Sequence, residues 1–492
     1  MRNIARRIDS RHSLVVDTLD VRQGEHWCLL GGNGAGKSLL ASLLQGRLPG
    51  SGSAPQWQPG FDPRFDLLAV SFEEQRRLWE QDNRHDISEY SPEAQDPGTT
   101  VSCLILQGRE LPEGLQAGFQ DMLDSLDLSP LANRGIRFLS SGQLRKALLA
   151  RALFARQLGR NPLLLLDDPL ESIDRQSRDA IRARLQQWMD ADSCSIQLCR
   201  RRSEILPGTT HLALMSGLRV IAQGPLDSIL VSPEFRQLMA DRPFQIGDLP
   251  GASDVETYQG SAPLVELAAV EVRFAGRLII SDVNWTLCRG QHALIEGPNG
   301  CGKSSLLGLI DGDNHKAYGQ SVRLFGRVRG SGESVWDIKR HFGVVSNELH
   351  GKYVKGWRVL DVVVSGFFDS VGLYQDSGAS QADAAMKWLA ALGIQGLARE
   401  YYHTLSFGQQ RLVLLARAMV KQPDVLVLDE PCVGLDDHFR RLILAVVDRI
   451  AATTATQIIY VSHTEGEAPG CINQHLRFVP APQGHTVVVS DG

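Results

Sequence analysis

The sequence has no apolar run approaching the ~18 residues that a bilayer-crossing helix needs, which excludes a chain that itself forms a membrane channel. A secretory leader is not expected from MRNIARRIDSRH, which is basic but is followed by too few apolar residues to make a hydrophobic region. A cytoplasmic location is expected, at most peripheral on the inner face of the plasma membrane. Cys-x-x-Cys spacing is missing among the eight cysteines, so neither a zinc site nor a disulfide framework is indicated; they read as small buried residues in a reducing compartment. Positive charge is not in excess either. With 51 Lys and Arg against 56 Asp and Glu the net charge is −5, so a dedicated nucleic-acid binder is not expected.

What is present is a duplicated set of motifs. Gly297-Pro298-Asn299-Gly300-Cys301-Gly302-Lys303-Ser304 fits G-x-x-x-x-G-K-[ST], and Gly31-Gly32-Asn33-Gly34-Ala35-Gly36-Lys37-Ser38 fits it again. In such a turn glycines let the backbone N–H groups approach phosphates, the lysine reaches the β and γ oxygens, and the hydroxyl holds Mg²⁺. One match can arise by chance, but here the lysines are 266 residues apart, and so are Gly142 and Gly408 of LSSGQLRK and LSFGQQR. LLLLDDP at Leu163 to Pro169 answers VLVLDEP at Val425 to Pro431, and a further aspartate, Asp174 or Asp436, lies seven residues beyond the first aspartate of each. Motifs repeated in one order at nearly one offset mean an internal duplication.

With 492 residues the chain is long enough for two domains with their own cores. Strand-like runs alternate with helical stretches in both halves, which predicts an α/β fold: two tandem phosphate-loop domains, each a parallel-rich sheet core with a helical subdomain. Gln381 to Leu397, apolar at helical spacing, falls in the helical insert of the second half. Pro, Gly, Asp and Ser collect from Arg242 to Pro263, so domains are expected at 1–241 and 264–492 with a short linker at 242–263.

The phosphate turn, the LS-x-GQ motif, four apolar residues before Asp-Glu and the following G-L-D together resemble the ATP-binding cassette ATPases, over nearly the whole chain and twice. The resemblance implies an ATP hydrolase using ATP and Mg²⁺, with each ATP sandwiched between the phosphate turn of one half and the LS-x-GQ motif of the other. In the second half it gives Lys303 the γ-phosphate, Ser304 and Asp429 the metal, Glu430 the attacking water, and His463 the switch contact to the γ-phosphate. Phe274, in VRFAGR, sits where the family stacks an aromatic on adenine; a core phenylalanine is the other reading. Ser140 and Gly142 would complete this site from the first half.

The first half departs from the pattern. Lys37, Ser38 and Asp167 are expected to hold Mg-ATP with Ser406 and Gly408, but Asp168 replaces the glutamate and is one methylene shorter, a weak equivalent. Arg200 or Arg201, depending on a one-residue gap, falls where His463 would be matched, and no aromatic answers Phe274. One turning-over site and one mainly structural site are expected. Phe407 stands in the LS-x-GQ motif where glycine is usual. Ser346-Asn347 and Glu73 to Gln75 are candidates for the glutamine that normally follows a strand between the first two motifs.

Three side readings complete the sequence view. Cys301 reads as a small residue filling a variable position, where thiol modification would obstruct ATP. The run Arg200 to Arg202 reads as a solvated surface cluster, the other reading being a contact to an acidic partner or nucleic acid. Gly366-Phe367-Phe368-Asp369 is either a docking groove for a permease or the apolar core of the insert, decided by whether the rings are exposed. A motor without a membrane segment needs a load. Leu324 to His350 and Ser365 to Gln375 resemble a molybdenum-associated group of tandem cassette proteins, which implies a separate membrane permease as partner; the alternative is a soluble ATPase acting on a cytosolic, nucleic-acid or ribosomal complex.

Overall fold

The computed structural model describes residues 1–7, 13–48, 54–84, 98–170, 173, 175–240, 246–251, 260–274, 277–298, 300–312, 317, 319–353, 356–373, 378–462 and 466–491. The chain divides into two compact units, Met1–Asp241 and Arg242–Gly492.

The first unit carries β1 (Arg2–Arg7), β2 (Ser13–Thr18), β3 (His26–Leu30), β4 (Leu67–Val70), β5 (Leu163–Asp167), β6 (Cys194–Cys199), β7 (His211–Ser216) and β8 (Arg219–Pro225). They form one sheet in the order β1-β2-β8-β7-β3-β6-β5-β4. The five strands from β7 to β4 are mutually parallel, while β1 and β8 run antiparallel to β2 and β7.

Alternation explains why β5 sits in the middle layer. Leu163 and Leu165 face one core with Leu40, Leu67 and Ile196, whereas Leu164 and Leu166 face the other with Val70, Leu148 and Ile181. A strand covered on both faces must be apolar throughout, hence the four-leucine run. Each such leucine contributes about 2 kcal/mol by leaving water, and truncating one to alanine costs about 2–5 kcal/mol.

The second unit repeats the plan with β9 (Val265–Phe274), β10 (Arg277–Leu287), β11 (Ala293–Glu296), β12 (Ser321–Leu324), β13 (Arg327–Val328), β14 (Phe342–Val345), β15 (Val425–Asp429), β16 (Gln457–Ser462), β17 (Gln474–Pro480) and β18 (His485–Asp491). Its order, β13-β12-β9-β10-β18-β17-β11-β16-β15-β14, contains the same five-stranded parallel core and adds the pair β12 and β13 at the antiparallel edge. Val425 and Val427 face one core, Leu426 and Leu428 the other.

The helical insert of the second unit is built around Ala379–Ala391, with Trp388 fully buried. Residues expected to belong to a linker are bonded to this unit: Gly247 N–H donates to Ala391 O at 2.8 Å and Gln422 Nε2 to Gly251 O at 2.7 Å. Among the described residues no helix is long and apolar enough to cross a membrane.

Candidate functional site

Both phosphate turns join the end of a buried parallel strand to a helix. β3 ends at Leu30 and β11 at Glu296; the helices begin at Lys37 and Lys303. The residue before each lysine is glycine with φ of 102° at Gly36 and 110° at Gly302. No L-residue adopts that conformation cheaply, and a Cβ on Gly302 would come within 2.6 Å of Ile280 Cγ1. A glycine at that position lets the backbone N–H groups of the turn approach an oxyanion.

The lysines are folded back onto their own loops. Lys303 Nζ donates to Gly297 O at 2.8 Å and Pro298 O at 3.0 Å, and Lys37 Nζ to Gly31 O at 2.5 Å and Gly32 O at 3.0 Å. Both amines are buried, whereas Ser38 and Ser304, one residue on, are exposed. Asn299 lies outside the described residues. Cys301 is fully buried against Gly297, and burial raises its thiol pKa, which fits the reading of a small residue filling the turn and leaves the thiol sheltered from modification.

Asp167 and Asp429 end β5 and β15, and the next residue in each half, Asp168 or Glu430, has left-handed backbone, with φ of 46° and 50°. Such a conformation costs an L-residue about 1–2 kcal/mol, so two independent occurrences at matched positions point to a carboxylate deliberately aimed. Burial first, then the neighbouring Glu430, push Asp429 up to about 6, with Lys303 and Arg411 pulling the other way. Two adjoining half-buried carboxylates, with the serine hydroxyl that follows the lysine of the turn, are all-oxygen donors of the kind a hard divalent cation takes.

Strand register settles which arginine matches the second half's histidine. Asp167 pairs with Leu198 of β6 and Asp429 with Val461 of β16, so Arg200, not Arg201, stands at the position of His463. His463 itself and Asp174 lie outside the described residues, as does the side chain of Phe274, whose backbone closes β9. Arg200 Nη2 is paired with Asp168 Oδ2, and Arg145 Nη1 donates to Asp168 O at 2.5 Å. Of the three-arginine run, Arg200 and Arg201 are half-buried in ion pairs, Arg201 Nε lying 2.6 Å from Glu204 Oε1, whereas Arg202 is exposed and lies over the Phe235 ring at 5.8 Å.

Ser140 and Ser406 are the N-caps of the helices Ser141–Phe154 and Phe407–Met419. Each accepts from the backbone of Gln143 or Gln409, whose side chain bonds back to the serine N–H. Gly142 and Gly408 are two residues along, and any side chain on Gly408 would enter the Phe439 ring. Phe407 packs beside His350 at 4.7 Å between ring centroids and beneath the Arg411 guanidinium at 5.1 Å. Burial, with Arg411 adding to it, holds His350 at about 4, so that imidazole is neutral.

Register also locates the position after β4 and β14. Ser71 and Ser346 cap the following helices, and the next residues are Phe72 and Asn347. Asn347 Oδ1 bonds Arg411, whereas Phe72 is exposed. Of the first-half candidates, Glu74 is buried among Arg47, Arg77 and Arg151, a structural role set by arginines that lie far apart in the sequence. Phe367 and Phe368 are half-buried against the insert's core, which removes the exposed aromatic surface that the docking groove required. Cys103 is exposed, contrary to the expectation that all cysteines are buried.

Two phosphate turns, each followed by a strand-end aspartate and a capped LS-x-GQ helix, define a tandem phosphate-loop ATPase. The family model described as "ABC transporter" matches residues 16–171 and again 280–433. The chain is 34% identical over 483 residues to the ABC transporter ATP-binding protein ModF of Escherichia coli (strain K12), covering 96% of this chain and 95% of that protein. It is 25% identical to an uncharacterized ABC transporter ATP-binding protein of Schizosaccharomyces pombe (strain 972 / ATCC 24843), covering 95% of both. A solved archaeal ribosome recycling factor, aABCE1, in complex with the ribosomal stalk protein aP1, superposes with a TM-score of 0.59 at 16% identity, covering 99% of this chain and 89% of that one. The chain belongs to the ABC transporter family and is a tandem ABC ATPase.

Proposed function

We propose that the chain is an asymmetric ATP-driven motor: the second cassette turns over, the first holds its nucleotide, and the load is a separate membrane permease. The observation that carries the asymmetry is the Arg200–Asp168 ion pair. A carboxylate whose lone pairs and charge are engaged by a guanidinium is a poor acceptor for a water proton. In the second half Glu430 stands at the same left-handed position and His463 replaces the arginine.

On this reading Lys303 leaves the carbonyls of Gly297 and Pro298 to meet the β and γ oxygens, and Lys37 does the same at Gly31 and Gly32. Ser304 with Asp429, and Ser38 with Asp167, would hold Mg²⁺, which when bound neutralises charge developing on the phosphates. Glu430 polarises the attacking water and His463 contacts the γ-phosphate. Ser140 and Gly142 complete the second site and Ser406 and Gly408 the first when ATP draws the cassettes together. Phe274 is the proposed adenine platform.

Transport is the load favoured by the relatives' own description as ABC transporter ATP-binding proteins. Molybdate is the cargo class that the sequence resemblance suggests. The test is a capture from cells of the Glu430→Gln variant, cross-linked in its ATP-held state. Co-purification of an integral membrane permease supports the transport reading. Recovery of ribosomes, nucleic acid or only soluble proteins rejects it and leaves the ATPase untouched.

A further inference from the structure

The two halves differ at a second place, away from the phosphate turns. In the first unit a cavity of about 500 Å³ opens between the end of the helix Lys37–Leu44, the edge strand β4 and the helices Phe72–Arg84 and Val101–Leu106. Five arginines line it, Arg47, Arg64, Arg77, Arg151 and Arg160, against one acid, Glu74. Asp62 and Asp66 pair with Arg64 and Arg160 from outside the lining, so three carboxylates still leave two guanidinium charges over. This surplus sits in a chain of net charge −5.

The hydrogen bonding inside is incomplete. Arg151 is buried, and its contacts are Ala69 O at 3.3 Å and Glu74 at 3.6 Å. Among the described residues Arg151 Nε, Gln45 Oε1 and Gln107 Nε2 are buried without a hydrogen-bond partner, and all three side chains line this cavity. Arg151 Nε and Gln107 Nε2 are donors and Gln45 Oε1 an acceptor; an unsatisfied buried polar atom costs on the order of 1–3 kcal/mol and calls for an explanation.

The second half shows what a closed version looks like. Arg417 occupies the same place on its LS-x-GQ helix as Arg151, eleven residues past the capping serine. Its guanidinium is satisfied from within, by Tyr353 OH at 2.8 Å, Ser370 O at 3.0 Å and Ser365 Oγ at 3.3 Å. Thr99, on the cavity lining, corresponds to Trp357, because their carbonyls accept from Ile136 N and Tyr402 N in matching bridges. Where the second half has a half-buried indole and a phenol, the first has space and arginines.

We infer that this cavity is a binding site for a small organic polyanion, a molecule bearing two or more carboxylate or phosphate groups. The guanidiniums supply paired donors for planar or tetrahedral oxyanions. Leu67, Leu68 and Leu104 on the lining suit a carbon skeleton. The volume falls in the range of small-molecule pockets, about 300–1,000 Å³, and exceeds the need of a single inorganic ion.

Cys103 is exposed on the lining, so its alkylation reports occupancy. The full chain is treated with a neutral maleimide, with and without citrate or fructose 1,6-bisphosphate, and labelling of the Cys103 peptide is followed by mass spectrometry. At about 1 mM probe, about four times a Kd on the order of 0.25 mM, labelling is expected to slow about five-fold. Slowing by citrate alone assigns a carboxylate ligand, by the bisphosphate alone a phosphate ligand. Arg77→Ala, at a half-exposed side chain, and Thr99→Trp, which copies the second half, are each expected to abolish the protection, thermal melting confirming that both are folded. Lys37→Ala with Lys303→Ala is expected to retain it. Unchanged labelling with both probes overturns the proposal. So does protection that survives Arg77→Ala and Thr99→Trp but disappears with the two lysines, which assigns the probes to the phosphate turns, and so does protection by a polyglutamate peptide alone.

Discussion

Arg200 and Asp168 form an ion pair at the end of β6, at the two positions where the second half carries His463 and Glu430. The two replacements are thus one change: an arginine in the switch position is matched by the shorter acid that it neutralises. Replacing only the arginine leaves a carboxylate without its partner, and replacing only the acid leaves a partly buried guanidinium beside the phosphate turn. Exchanging both, Arg200→His with Asp168→Glu, is expected to give the first half measurable turnover in a Glu430→Gln background, read as steady-state phosphate release.

Gly302 holds the second phosphate turn open by conformation as well as by size. Gly302→Ala forces a Cβ onto Ile280 and an L-residue to φ of 110°. Loss of about 5- to 30-fold in ATP affinity is expected from a strain on the order of 1–2 kcal/mol. Equilibrium binding of a fluorescent ATP analogue checks it, with Gly251→Ala, where a Cβ has open space, as the unaffected control.

Phe407 fills the place of a usual glycine without crowding, because it is stacked between His350 and Arg411 and abuts Gly434. Phe407→Ala removes that packing and the cation–π contact, for an expected loss of about 1–3 kcal/mol. A lowered midpoint in urea unfolding, with unchanged slope, is the signature.

Glu74 makes the stability of the first unit depend on acid. Its burial raises the carboxyl, but Arg77, Arg151 and Arg47 outweigh it and hold the group at about 2 against an unfolded value of 4.5. A depressed folded pKa stabilises above the unfolded value and is lost as pH falls from about 4.5 towards about 2. Allowing for the half-exposed Arg47 and Arg77, the effect is on the order of 2 kcal/mol. Glu74→Gln is expected to flatten the pH dependence of unfolding in that window while lowering stability at neutral pH.

The duplication, both phosphate turns and the strand-end aspartates were legible because each is a local pattern of a few residues. The identity of the switch arginine was not, since it turns on strand register, and one residue of slip exchanges Arg200 for Arg201. Phe72 at the position of Asn347 was hidden for the same reason. Phe367 and Phe368 gave no sign of their burial, because a short apolar run in a helical insert has the same composition whether it packs inward or outward. The arginine-lined cavity draws on residues from Gln45 to Arg160, so no window of sequence contains it.

The central claim is that hydrolysis belongs to the second half. Steady-state ATP turnover of Glu430→Gln and of Asp168→Asn, with nucleotide occupancy counted in both, tests it most directly. Turnover is expected to fall at least about 100-fold for Glu430→Gln, the scale of losing a general base, and to change within about twofold for Asp168→Asn. Comparable losses in the two variants, or a larger loss for Asp168→Asn, would contradict it.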